Sequence, residues 1–89
     1  MIFEIGSCYS IACLTNDTIK DVQIECVNIR ENYTFCDDIY LKILSENGLD
    51  QFANLIIIDK NIINELNLPD NTIVLPYTLL INYFTITKL

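Results

Sequence analysis

The sequence predicts one small α+β domain: an N-terminal β-hairpin over residues 1–32, a central β-α-α-β unit over 33–76, and a C-terminal β-strand or arm over 77–89. Three observations carry this. Apolar and polar residues alternate on both sides of a short polar stretch in the first third. Apolar residues four apart, closed by Asn-Gly, mark the middle. The last stretch is apolar at odd and even positions alike, as in a strand covered on both faces. At 89 residues there is room for one modest core.

In the hairpin, Tyr9, Ile11 and Cys13 alternate with Ser10 and Ala12, and Val22, Ile24 and Cys26 alternate with Asp21, Gln23 and Glu25. Thr15-Asn16-Asp17-Thr18 between them has turn chemistry. Phe3 and Ile5 also alternate with Glu4, and Gly6, between these first two apolar runs, permits a bend or a bulge. Thr34-Phe35-Cys36-Asp37 has the form of a helix start, with acids in the first turn. Ile39 with Ile43 and Tyr40 with Leu44 then give an apolar stripe that ends at Asn47-Gly48. Asp50 is placed to cap a second helix carrying Phe52, Leu55 and Ile56. The run Leu55-Ile56-Ile57-Ile58 fits that helix or a buried strand, and the context favours the helix. Ile62, Ile63 and Leu66 suit one more helical turn. Leu68-Pro69-Asp70-Asn71 reads as a type I turn with Pro second, and Thr72-Ile73-Val74-Leu75 as a short strand stopped by Pro76.

Charge and missing residue types narrow the chemistry. Twelve Asp and Glu face five Lys and Arg, for a net charge of −7, and there is no His or Trp. Arg30 is the only arginine. Without His there is no triad, imidazole base or His metal site. Without a basic patch, neither nucleic acid nor an anionic membrane surface is an expected partner. Two glycines cannot make a phosphate-cradling loop. Asp37 and Asp38 are neighbours that would point to different helix faces, so they read as a capping cluster and not as a catalytic pair. Cys8, Cys13, Cys26 and Cys36 contain no C-x-x-C pair; they read as buried thiols, with a Cys8–Cys26 disulfide as the alternative. No signal-peptide pattern opens the chain, which suggests a cytosolic place of synthesis. No catalytic residue, cofactor or metal is expected.

At 52% hydrophobic residues, the chain holds more apolar surface than a domain of this size readily buries. The excess concentrates in the Ile-rich helix and in the final strand. Leu79, Leu80, Ile81, Tyr83, Phe84 and Ile86 are therefore candidate partner-interface residues, suited to strand addition. Asn82 and Thr85 interrupt this stretch, which is too short to span a membrane.

Residues 33–76 also resemble a LysM-type unit of the kind found in the bacteriophage tail protein X family and related baseplate proteins. The resemblance rests on Tyr33-Thr34, Asp37-Asp38-Ile39, Gly48, Leu55 to Asn61 and, most specifically, the closing Leu68 to Pro76. Asp37 stands where such units usually carry Gly, and Asn71 replaces the common turn Gly. The resemblance implies a shallow groove at Phe35, Asp37, Asp38, Leu68, Asp70 and Asn71. It implies a non-enzymatic structural subunit of a phage tail, baseplate or related contractile particle, a small clamp between other virion proteins, made in the host cytoplasm. The alternatives are a small acidic phage-encoded inhibitor of a host enzyme or defence system, and a peptidoglycan-binding LysM module.

Overall fold

The computed structural model describes residues 3–13, 22–31, 37–46 and 60–89. Five strands form one antiparallel sheet: β1 (Cys8–Cys13), β2 (Val22–Arg30), β3 (Asp38–Ile43), β4 (Thr72–Pro76) and β5 (Phe84–Lys88). Two short helices, α1 (Lys60–Glu65) and α2 (Tyr77–Tyr83), stand before and after β4. The order across the sheet is β4-β3-β2-β1-β5, so the last strand returns beside the first.

The register aligns one apolar face across the sheet. Tyr9 lies opposite Ile24, which lies opposite Ile43; Cys26 lies opposite Leu41, and Leu41 opposite Ile73. Leu80 from α2 and Phe84 from β5 complete this core. The face stays apolar at the far end of β2 because of a β-bulge between Cys26 and Asn28. Unbroken alternation would turn Asn28 inwards; the extra residue puts Ile29 there, opposite Ile39. The side chain of Asn28 accepts the Ile29 N–H at 2.8 Å, which satisfies a donor where β2 runs past the start of β1.

Among the described residues the fold is mostly β, and the expected β-α-α-β unit is not formed. The stretch read as a first helix is β3, the strand between β2 and β4. Ile39 and Ile43 share a face in a helix and in a strand, because a spacing of four satisfies both periods. Leu41 separates the two. It shares their buried face in period two, while Tyr40, on the other face, is buried as well. The expected second helix at 50–58 lies outside the described residues, as does the hairpin loop.

The C-terminal strand is also corrected. Residues 77–83 are helical and only Phe84–Lys88 is extended. Pro76, at φ −62°, ends β4 and precedes α2. Tyr77 and Leu80 then turn towards the core one helical turn apart, with Leu80 fully buried. α1, the expected extra turn, closes with a Schellman motif: Leu68 N–H donates to Ile63 O at 2.9 Å, Asn67 N–H donates to Asn64 O at 3.1 Å, and Asn67 takes φ 55°. The next turn is shifted by one residue from its expected place, with Thr72 N–H donating to Pro69 O at 3.1 Å. Asn71 fixes that shift through bonds to both backbone groups of Ile43. Near the N-terminus, Ser7 N–H donates to Glu4 O, and Gly6 occupies the third position of the turn at φ 92°, which a side chain would oppose.

Candidate functional site

Where a five-stranded open sheet meets other molecules depends on its two edges. In an antiparallel ladder, alternate residues send both backbone groups to the same neighbour. Leu89 N–H donates to Cys8 O at 2.9 Å, which identifies that position as a bonded pair. Along the β1–β5 register, Ser10 with Thr87 and Ala12 with Thr85 are then bonded pairs too. Ile86 and Lys88 consequently point their backbone groups away from β1, to the outer edge of β5. The Phe84 N–H is already committed, to Leu80 O at the end of α2.

The other edge is different. Ile43 N–H donates to Asn71 O at 3.0 Å, and Tyr77 N–H to Asp37 O at 2.9 Å. By the same alternation Thr72, Val74 and Pro76 face outwards on β4. Thr72 spends its N–H on the turn and Pro76 has none, so Val74 carries the remaining outward donor of that strand.

Of the expected partner-interface residues, Leu80 and Phe84 are core, and Leu79 and Ile86 are partly buried against it. Ile81 and Tyr83 remain exposed, at 43% and 51%. Sequence reasoning missed two further exposed apolar residues near the end of β5. Leu89 follows that strand, and Ile5 follows Glu4, whose carboxylate meets Lys88 Nζ at 3.3 Å. Only the pairing of β5 with β1 brings them to one end, so no local sequence signal marks them.

The described residues of the expected groove do not come together. Asp37 and Asp38 stand where β3 begins, beside Pro76 and Tyr77, whereas Asn71 meets Ile43 where it ends. Five residue steps of strand, from Asp38 to Ile43, separate the two groups, roughly 17 Å at about 3.4 Å per residue. Leu68 and Asp70 go with Asn71, on the far side from Asp37 and Asp38, and Phe35 lies outside the described residues.

Cys8 and Cys26 are free thiols. Cys8 lies opposite Glu25, so alternation turns it to the face away from Cys26, and the alternative disulfide does not form. Burial pushes the Cys26 thiol up to about 11; a hydrogen bond with the Asn28 backbone opposes the shift and the Glu25 charge adds to it. Cys26 is a protonated core residue at neutral pH. Among the described residues, no three of the His, Cys, Asp and Glu side chains converge as metal ligands, and no helix is long and apolar enough to cross a membrane.

A pocket of about 240 Å³ opens on the core face where β2 and β3 run past the start of β1. It is lined by Phe3, Ile29, Asp37, Ile39 and Tyr77. Phe3, one of these, packs on Tyr9 at 4.9 Å between ring centres and edge-on to Tyr77 at 6.1 Å. The Tyr9 hydroxyl accepts the Glu4 N–H at 2.9 Å and holds the segment that carries Phe3 in place. No protein-family model, curated protein or solved structure matches this chain.

Proposed function

We propose that the protein is a non-enzymatic structural subunit that works by contact with neighbouring protein subunits, and that it makes this contact along β5. The observation that carries the reading is the asymmetry of the sheet edges. β5 turns the backbone groups of Ile86 and Lys88 outwards, and exposed Ile81, Tyr83 and Leu89 flank it. An incoming strand would gain main-chain bonds there and apolar contacts at both ends. The chain's net charge of −7 disfavours nucleic acid and anionic lipid as partners.

A tail or baseplate particle, with other virion proteins as neighbours, is proposed on the sequence resemblance in the closing turn, strand and Pro, from Leu68 to Pro76. The β-α-α-β unit has no part in this reading, because the sheet replaces it.

The test is sedimentation of the purified chain over a range of concentrations. An open edge pairs with any available strand, including that of a second copy, so concentration-dependent self-association is expected. Ile86→Pro removes an outward donor without touching the β1 ladder, and should abolish association while the far-UV spectrum stays that of a folded sheet. Lys88→Pro is the second variant, at an exposed position whose ion pair with Glu4 is worth little. A wild-type chain that stays monomeric throughout, as a soluble decoy inhibitor would, overturns the reading. So does undiminished association of both folded variants.

A further inference from the structure

The pocket between the N-terminal segment and the β3–α2 junction has a composition that selects its occupant. Phe3, Ile29 and Ile39 make apolar walls, Tyr77 adds an aromatic edge, and Asp37 contributes the charge among the lining residues. The Asp37 backbone is fixed by the Tyr77 N–H at 2.9 Å, so its position on the rim is set by the ladder. Its side chain is exposed, and no ion pair engages it among the described residues. Arg30, the chain's own guanidinium, stands in the ladder opposite Asp38. Alternation puts that pair on the other face of the sheet from Ile29 and Ile39.

We propose that this pocket is a socket for one arginine side chain of a protein partner. An aliphatic stem fits between Phe3, Ile29 and Ile39, as long basic side chains commonly lie along apolar walls. The planar guanidinium then meets the Asp37 carboxylate through paired N–H donors and lies against the Tyr77 ring. Competing occupants are disfavoured. An apolar side chain would strip water from the Asp37 carboxylate without replacing its hydrogen bonds. An anion would meet that carboxylate and a chain of net charge −7. The volume, about 240 Å³, falls below the roughly 300–1,000 Å³ usual for drug-sized ligands and suits a single side chain. The long-range field of the acidic chain also favours the approach of a basic segment. This socket is independent of the β5 edge, so either proposal can fail without the other.

Amide NMR of the full chain, titrated with N-acetyl-arginine amide, tests the socket. Saturable shifts are expected at Phe3, Ile29, Asp37, Ile39 and Tyr77, and they should weaken as salt is raised. N-acetyl-citrulline amide keeps the shape and loses the charge; it should bind at least about tenfold more weakly. Asp37→Asn should weaken arginine binding to a similar degree without changing the fold. N-acetyl-lysine amide should bind more weakly than arginine, because an ammonium cannot stack or pair in a plane. Shifts that do not saturate, or that fall outside the pocket, overturn the proposal. So does citrulline or lysine binding as tightly as arginine. The citrulline comparison uses the unmodified chain and does not depend on how the variant folds.

Discussion

The two edges of the sheet are built from similar short, β-prone strands and end up unlike one another. β4 is enclosed by its flanks. The Pro69–Thr72 turn takes one outward donor, Pro76 removes another, and Val74 alone keeps an outward N–H. β5 is flanked by α2, which engages Phe84 N–H and, among the described residues, leaves the edge open from Ile86 onwards. The strand itself does not decide whether an edge is available; the turn, proline or helix beside it does.

This contrast can be broken at the packing that holds β5. Leu80 is fully buried, and it ties α2 to the core immediately before β5. Leu80→Ala should cost about 2–5 kcal/mol in urea unfolding, the range for truncating a buried Leu. Self-association should fall with it, because the edge depends on α2. Unchanged stability would mean that β5 is held by β1 alone.

The contrast is sharpened by placing the same substitution on each edge. Ile86→Pro should weaken self-association by at least about tenfold, as expected when an outward ladder donor is removed. Val74→Pro removes the corresponding donor on β4 and should leave association within about twofold of wild type. Sedimentation of the two variants side by side measures the difference, and equal loss in both would show that the edges are equivalent.

Between the edges, Cys26 gives the core a signature in pH. Its folded value is raised from 9.0 to about 11, so the unfolded chain releases this proton first as pH rises. Its contribution to stability is complete below pH 9 and declines between 9 and about 11. Unfolding midpoints across this window should fall more steeply for wild type than for Cys26→Ala. Parallel slopes would show that the thiol is not desolvated.

The smallest effect belongs to the closed edge. Thr72 is fully buried, and its hydroxyl oxygen finds no hydrogen-bond partner among the described residues. Thr72→Val keeps the shape and removes the orphaned group, and should raise stability by about 1 kcal/mol. In a domain of this size that is a rise of roughly 4–8 °C in Tm by thermal unfolding. A fall in Tm would show that the hydroxyl has a partner.

Some of this was legible in the residues. The alternation of Tyr9 and Ile11, and of Val22, Ile24 and Cys26, marks β1 and β2, and they pair antiparallel. Thr72 to Leu75, bounded by a turn and Pro76, marks β4. Asp38 to Ile43 reads as a helix because Ile39 and Ile43 fit both periods; Leu41, buried with them, fits only the strand. Residues 77–83 read as a strand and fold as a helix because a stretch apolar on all sides has no period that separates the two. The candidate site fared similarly. Ile81 and Tyr83 are exposed, and the groove would set Asp37 beside Asn71, whereas the β3–β4 ladder puts them at opposite ends.

The sequence by itself determined the charge, the absence of imidazole chemistry, the strand-forming alternation of the first third and the stop at Pro76. These are properties of residue type and local spacing, and no partner in the fold can alter them. The tertiary structure alone decided that β3 lies inside the sheet, that Val27 is spent on a bulge, and that β5 completes this domain's own sheet beside β1. Each of those is a pairing between segments distant in the chain. Their register is set by which apolar faces can be buried together, and no single segment carries that information.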